Sequence, residues 1–277
     1  MTKRAYRGID HVVIRTGDAA QLYELFSEHL GLPVTWPLEV ASFATFGWIG
    51  LGNTNLEIWA ATDNSDLPSD CPLPLFHQIA LEPAGLSQTL ARLKVLGLSC
   101  KTPRAHASKD ERGEVRTNFT NSTVLDLSTD SCCVFLCDWG THAPIVPWRK
   151  GLSTPERRDL ERDNLDACGG GHLGLVGLKE LAISSTDLAG ALDRWQRLAE
   201  SSADPVAIAD DVELRLSAGT QDLIQSLTFA VHDLADARRF LARHDLLDED
   251  EADEVVLSRR ATGGLTFRLV EASAKRG

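Results

Sequence analysis

Three residues of this chain have the types and placement to hold a metal ion. His11 falls early in a strand-like opening, Gly8-Ile9-Asp10-His11-Val12-Val13-Ile14, and His77 falls early in a second, Leu75-Phe76-His77-Gln78-Ile79-Ala80-Leu81. Glu57 lies in Thr54-Asn55-Leu56-Glu57-Ile58-Trp59, on the face opposite Leu56 and Ile58. Two imidazoles and one carboxylate suit a divalent ion such as Fe, Mn, Zn or Ni, and leave positions open for water or a bidentate substrate. The histidines are 66 residues apart, so two facing strands would have to bring them to one point. Either histidine alone would be read as a hydrogen-bonded core or rim residue. Together with a strand glutamate they raise the case for a site.

A repeated pattern would position these residues. The first opening aligns without a gap on Gly177-Leu178-Lys179-Glu180-Leu181-Ala182-Ile183 at an offset of 169, which still holds at Asp18 and Asp187. A repeat of this kind governs the whole fold reading. His11 and Glu180 occupy the same pleat position, so the copies share architecture and differ in chemistry. In the first unit the pattern predicts a strand over 9–15, a helix over 18–30 and strands near 41–49 and 54–60. Asp18 serves as the helix N-cap and Gly31 as its stop. A second unit opens at Leu75, with a helix over 84–96 and strands over 115–120, 123–127 and 132–138. A third unit spans 178–218. The fourth opens at Ser226, with a helix over 234–244 and strands over 254–259 and 265–271.

The expected fold class is therefore α+β, with four βαβββ modules paired into two domains, since one such module cannot close a core alone. Residues 1–142 would form the domain holding the candidate site and 174–277 the second domain. The linker, 143–173, carries Pro144, Pro147, a charged helical stretch over 155–163 and Gly169-Gly170-Gly171.

The 277 residues are 43% hydrophobic and 25% charged, as in ordinary globular proteins. Net charge of −12 argues against a nucleic-acid or anionic-membrane surface. No apolar run approaches the ~20 residues that span a bilayer. Without an apolar leader the expected location is cytoplasmic. The acidic stretch 248–254 reads as a solvated loop. The six cysteines form no C-x-x-C pair and are expected to be free. His106, His142 and His172 fall in loop-like stretches and are expected at solvent, and Glu82 is expected in a surface salt bridge. Tryptophans 36, 48, 59, 139 and 148 all precede the second pair of units, as packing residues or as walls of an aromatic cavity.

The paired units, the two opening strands and Asn55-Leu56-Glu57-Ile58 resemble the vicinal oxygen chelate superfamily, which includes glyoxalase I, extradiol dioxygenases, epimerases and bleomycin-binding proteins. The resemblance covers most of the chain and is strongest over residues 8–98. It implies glyoxalase-like domains, with His11, Glu57 and His77 as metal ligands. The family's second glutamate would fall at Phe135, leaving three protein ligands; the alternative is Asp138 as the fourth, in a shifted register. In the second pair, Glu180, Ser226–Thr228 and Arg268 take the equivalent places, and the ligand set is lost.

The resemblance implies a metal-dependent glyoxalase- or dioxygenase-like enzyme, a lyase, isomerase or dioxygenase, acting on a small substrate with vicinal oxygens. Glu57 or Asp138 would serve as the catalytic base. The alternative is a non-catalytic small-molecule binding protein of the bleomycin-resistance kind. The expected partner is a small molecule, with a homodimer left open.

Overall fold

A computed structural model describes residues 4–68, 71–109, 112–140 and 152–272. The first module runs β1 (Tyr6–Arg15), α1 (Ala19–Glu24), a π-helical turn (Leu25–His29), β2 (Val34–Val40), β3 (Ala44–Gly50) and β4 (Asn55–Ala61). Asp18 caps α1 by accepting from the Gln21 amide at 3.3 Å, as the sequence predicts. The second module has β5 (Leu75–Pro83), α2 (Leu86–Val95), β6 (Arg104–Lys109), β7 (Val115–Thr123) and β8 (Cys133–Trp139). In both, the last strand returns parallel to the first, β4 on β1 and β8 on β5. The two modules meet through the antiparallel pair β1 and β5, which gives the strand order β2-β3-β4-β1-β5-β8-β7-β6.

The second half repeats the plan after α3 (Thr154–Ala167). Its elements are β9 (Leu175–Ser185), α4 (Leu188–Ala199), β10 (Val206–Ala207), β11 (Glu213–Ala218), β12 (Leu223–Val231), α5 (Leu234–Arg243), β13 (Leu247–Asp250), β14 (Val255–Leu257) and β15 (Thr266–Glu271). Again β11 lies parallel to β9, β15 parallel to β12, and β9 antiparallel to β12. The third module carries two strands after its helix where the pattern predicts three, and β10 is only two residues long. The fold is the expected mixed α+β arrangement of four related modules.

β1 and β5 are buried at nearly every position because helices cover one face and the concave wall closes on the other. One hydrophobic core runs through both halves. At its centre Phe267 packs edge-on against Phe26 and Phe76, each at 5.1 Å between ring centres, and against Phe229 at 5.5 Å. Burying a ring of this size stabilises the fold by roughly 1.5–3 kcal/mol. A single strand contact, Phe76 to Ile224, continues the sheet from one half to the other.

Of the expected linker, residues 143–151 lie outside the described residues, as do His142 and Trp148. The charged helical stretch is α3, started by a capping box in which Glu156 accepts from the Ser153 amide at 2.8 Å. Seating this helix requires Gly52. Its φ of +81° suits glycine, and a Cβ there would come within 2.7 Å of Leu165 Cδ2.

Candidate functional site

Two β-bulges decide which side chains enter the concave face of the first half. On β1, Ile9 pairs with Leu81 and His11 with Ala80, so Asp10 is the extra residue. On β5, Gln78 pairs with Val13 and Phe76 with Ile14, so His77 is the extra residue. A bulge re-aims the side chains around it. The two bulges are related by the repeat: Asp10 corresponds to His77, and His11 to Gln78. The second half has the same bulges at Lys179, between Glu180 and Leu178, and at Gln225, between Ile224 and Ser226.

The concave face, here the first cup, encloses about 850 Å³. That volume lies within the roughly 300–1,000 Å³ of small-molecule sites. β1 contributes His11, Val13 and Arg15, and β4 contributes Glu57, Trp59 and Ala61. The alternation of the pleat explains both sets. Trp36, Phe46 and Trp48 form one wall, and Phe119, Phe135 and Trp139 the other. Trp48 meets Trp139 at 5.8 Å, so the walls touch above His11, whose ring lies 4.5 Å from Trp48 and 5.7 Å from Phe135. Four of the tryptophans thus line a cavity. His106, expected at solvent, lies on β6 and stacks on Phe119 at 4.6 Å within the same cup. The expectation failed because β6 lacks an apolar alternation and reads as a loop.

His11 lies between two carboxylates. Its Nε2 is 3.3 Å from Glu57 Oε2, and its Nδ1 is 2.7 Å from Asp10 Oδ2. Burial pushes the Glu57 carboxyl up from its ordinary value; His11 and the Trp48 side chain oppose this, and Asp10 adds a smaller push. Burial alone would raise Asp10 too, but Arg157, His11 and Arg158 reverse it, holding that carboxyl far below the usual range. Asp10 also accepts from Trp139 Nε1 at 2.9 Å. Cys137 lines the cup, and burial pushes its thiol well above the ordinary value, which disfavours the thiolate.

His11 and Glu57 are therefore brought together, whereas His77 and Asp138 are not. His77 is buried but is absent from the cup lining; Gln78 stands there instead, its amide 3.2 Å from His77 Nδ1. Counting the strand without its bulge puts His77 one residue out of phase. Burial and the charge of Arg15 push His77 down to about 4, against smaller opposing effects of Asp66 and Asp130, so it is neutral near pH 7. Phe135 faces the cup at the last-strand position, as read from the sequence. Asp138 points to the other face of β8, within the fields of Arg7 and Glu82, and burial raises its carboxyl. Glu82, expected at the surface, is buried and pairs with Arg7 at 2.9 Å and Arg158 at 3.1 Å.

The residues present do not fit the divalent metal that the resemblance implies. His11 and Glu57 supply two strong donors and Gln78 only a neutral amide oxygen, while Phe135 leaves the fourth ligand position without a donor. Among the described residues no group of three or more His, Cys, Asp or Glu side chains is arranged to hold an ion. Sequence reasoning missed Asp10, Gln78, Arg157 and Arg158. An acid inside an apolar strand and adjacent arginines in the charged helix were the available signals.

The second half has its own concave face of about 680 Å³. Register places Glu180 where the first cup has His11, Arg215 for Glu57, Ser226 for Gln78 and Arg268 for Phe135. Glu180 pairs with Arg215 at 2.8 Å, and Arg268 pairs with Glu254. Among the described residues no aromatic ring lines it.

No protein-family model matches the chain, and no curated protein matches it. Solved structures do. A mutant of 4-hydroxymandelate synthase from Streptomyces coelicolor aligns over 99% of this chain and 95% of that chain, with TM-score 0.61 at 12% identity. Homoprotocatechuate 2,3-dioxygenase from Brevibacterium fuscum, in complex with 3,4-dihydroxyphenylacetate, aligns over 98% and 82%, with TM-score 0.59 at 10% identity. A hypothetical protein from Staphylococcus aureus aligns over 95% and 99%, with TM-score 0.59 at 10% identity. At such identities the likeness is one of fold. With its paired modules, parallel returning strands and two cups, the chain shares the fold of these dioxygenase and synthase structures.

Proposed function

We propose that the first cup binds a small, ring-bearing molecule and that the Glu57–His11 pair moves a proton to or from an oxygen of that ligand. The observation that carries this reading is the 3.3 Å contact between Glu57 and His11 at the floor of an aromatic-walled cavity. The rings offer stacking faces to a planar ligand. The buried charges are matched, Asp10 with Arg157 and Arg15 with Asp66 at 2.7 Å, so the walls favour a ligand with little net charge. Two buried polar atoms in residues of the cup lining, Arg15 Nε and Asn121 Oδ1, have no hydrogen-bond partner among the described residues. Leaving such an atom unmet costs about 1–3 kcal/mol, which polar groups of a ligand would recover.

Glu57 and His11 share the proton between them, and a substrate oxygen or acidic C–H placed against Glu57 exchanges with that proton. General acid–base help of this kind is worth about 10²–10⁴ in rate. The relatives of known activity are named as a dioxygenase and a synthase, both chemistries of small molecules. The donor set for a metal is incomplete, so the proton transfer rests on the Glu57–His11 pair itself. A sequestering protein without chemistry is the second reading, favoured by Gln78 and Phe135 at ligand positions.

Naphthol tests both, because its absorbance separates hydroxyl from naphtholate. The wild type is expected to lose tryptophan fluorescence on binding and to show the naphtholate band near neutral pH. Glu57→Gln should keep the quenching and lose the band. Quenching without a naphtholate band in the wild type supports sequestration. Neither signal in the wild type overturns the assignment of this cup.

A further inference from the structure

The helix α3 follows the first half in sequence, yet two of its side chains reach the back of the histidine. Asp10 Oδ2 lies 2.7 Å from His11 Nδ1 and accepts from Trp139 Nε1 at 2.9 Å. Asp10 Oδ1 accepts from Arg157 Nη2 and, at 3.4 Å, from Arg158 Nη2. An ionised carboxylate is acceptor-only, with about four lone-pair sites, so these donors fill it. Asp10 and Arg157 are both buried. We propose that Asp10, clamped by Arg157 and Arg158 of α3, is a positioning residue that fixes His11 with Nδ1–H toward Asp10 and Nε2 toward Glu57. This rests on the reading of Glu57–His11 as the functional pair.

Three observations separate this from a salt bridge that merely holds α3 down. Asp10 is the bulged residue of β1, so the bulge itself turns its carboxylate toward the ring of the next residue. One carboxylate oxygen serves two cup residues, His11 and Trp139, which a plain helix anchor would not need. The helix is already anchored elsewhere: Glu161 accepts from Asn55 at 3.1 Å, Arg158 Nη2 donates to the Ile9 carbonyl at 2.6 Å, and Leu165 seats over Gly52. The clamp also reaches the second half. Asn53, whose carbonyl accepts from Arg158 at 3.5 Å, exchanges two hydrogen bonds with the Leu178 backbone at 2.8 and 2.9 Å. An amide in place of such a carboxylate keeps the shape and presents the wrong partner to the ring, which favours the other tautomer.

Nitrogen-15 NMR of the full chain, labelled at histidine, reads the tautomer without any ligand. In the wild type His11 Nδ1 is expected to carry a proton. Asp10→Asn should lose the single Nδ1–H form, and Arg157→Met should give a mixture, while Arg157→Lys should restore the wild-type spectrum. A bare Nδ1 in the wild type, or the wild-type tautomer kept in folded Asp10→Asn, overturns the proposal. The wild-type measurement needs no substitution, so a variant that fails to fold does not shield the idea. His11→Gln separates the two readings. If it leaves the naphtholate band unchanged while the tautomer is as expected, the functional pair is wrong and the positioning contact stands.

Discussion

The two cups of this molecule are built in the same register and filled with opposite chemistry. Bulges at Asp10, His77, Lys179 and Gln225 present His11, Gln78, Glu180 and Ser226 at equivalent points. Around His11 the walls are tryptophan and phenylalanine, and the ions behind it are buried; around Glu180 the walls are arginine, glutamate, serine and threonine. The Asp10 and Arg157 side chains are 0% and 4% exposed, whereas Arg215 is 59% exposed. Burial makes the difference. An ion pair removed from water is costly to break, whereas an exposed one contributes little. The first cup can therefore hold a histidine at a fixed angle, whereas the ion pairs of the second are more exposed to solvent.

The largest effect should come from completing the ligand set that the first cup lacks. Gln78→His with Phe135→Glu adds two donors to His11 and Glu57. The double variant is expected to retain zinc near stoichiometry in equilibrium dialysis, while the wild type does not. Zinc held equally by the wild type would show that the cup is read wrongly. Next in size, Arg157→Met leaves Asp10 buried and short of its main partner. It should lower unfolding free energy by about 3–5 kcal/mol in urea titrations, against less than about 1 kcal/mol for Arg215→Met. Equal losses would erase the contrast between the cups.

A smaller effect concerns pH. His77 titrates near 4 in the folded chain, below its ordinary 6.5, so the unfolded chain takes up its proton first. The stability this buried neutral ring contributes is complete above pH 6.5 and is lost as pH falls toward 4, a change on the order of 3 kcal/mol. His77→Gln should flatten that part of the stability–pH curve; an unchanged slope would mean the ring is solvated.

Much of the scaffold was legible because the repeat is written in local patterns. The offset of 169 placed Glu180 opposite His11 correctly, and Asp18 caps its helix as expected. Phe135 faces the cup, at the last-strand position the family resemblance gave it. His77 was misplaced, because a bulge inserts one residue without altering composition or hydrophobic pattern, and every later side chain changes face. The roles of Arg157 and Arg158 were hidden for a different reason. A charged amphipathic helix looks the same whether its arginines meet water or a carboxylate nearly 150 residues away, and only the docking of α3 decides. The short third module shows the same limit: β10 is too brief to leave a periodic signal.

The most direct measurement is a crystal structure of the chain grown with naphthol. The ring should lie among Trp48, Trp59 and Trp139 of the first cup, with its oxygen within about 2.6–3.2 Å of Glu57 or His11. Naphthol in the second cup, or His77 turned into the first cup beside His11 around a bound ion, would contradict the assignment of Glu57–His11 as the working pair.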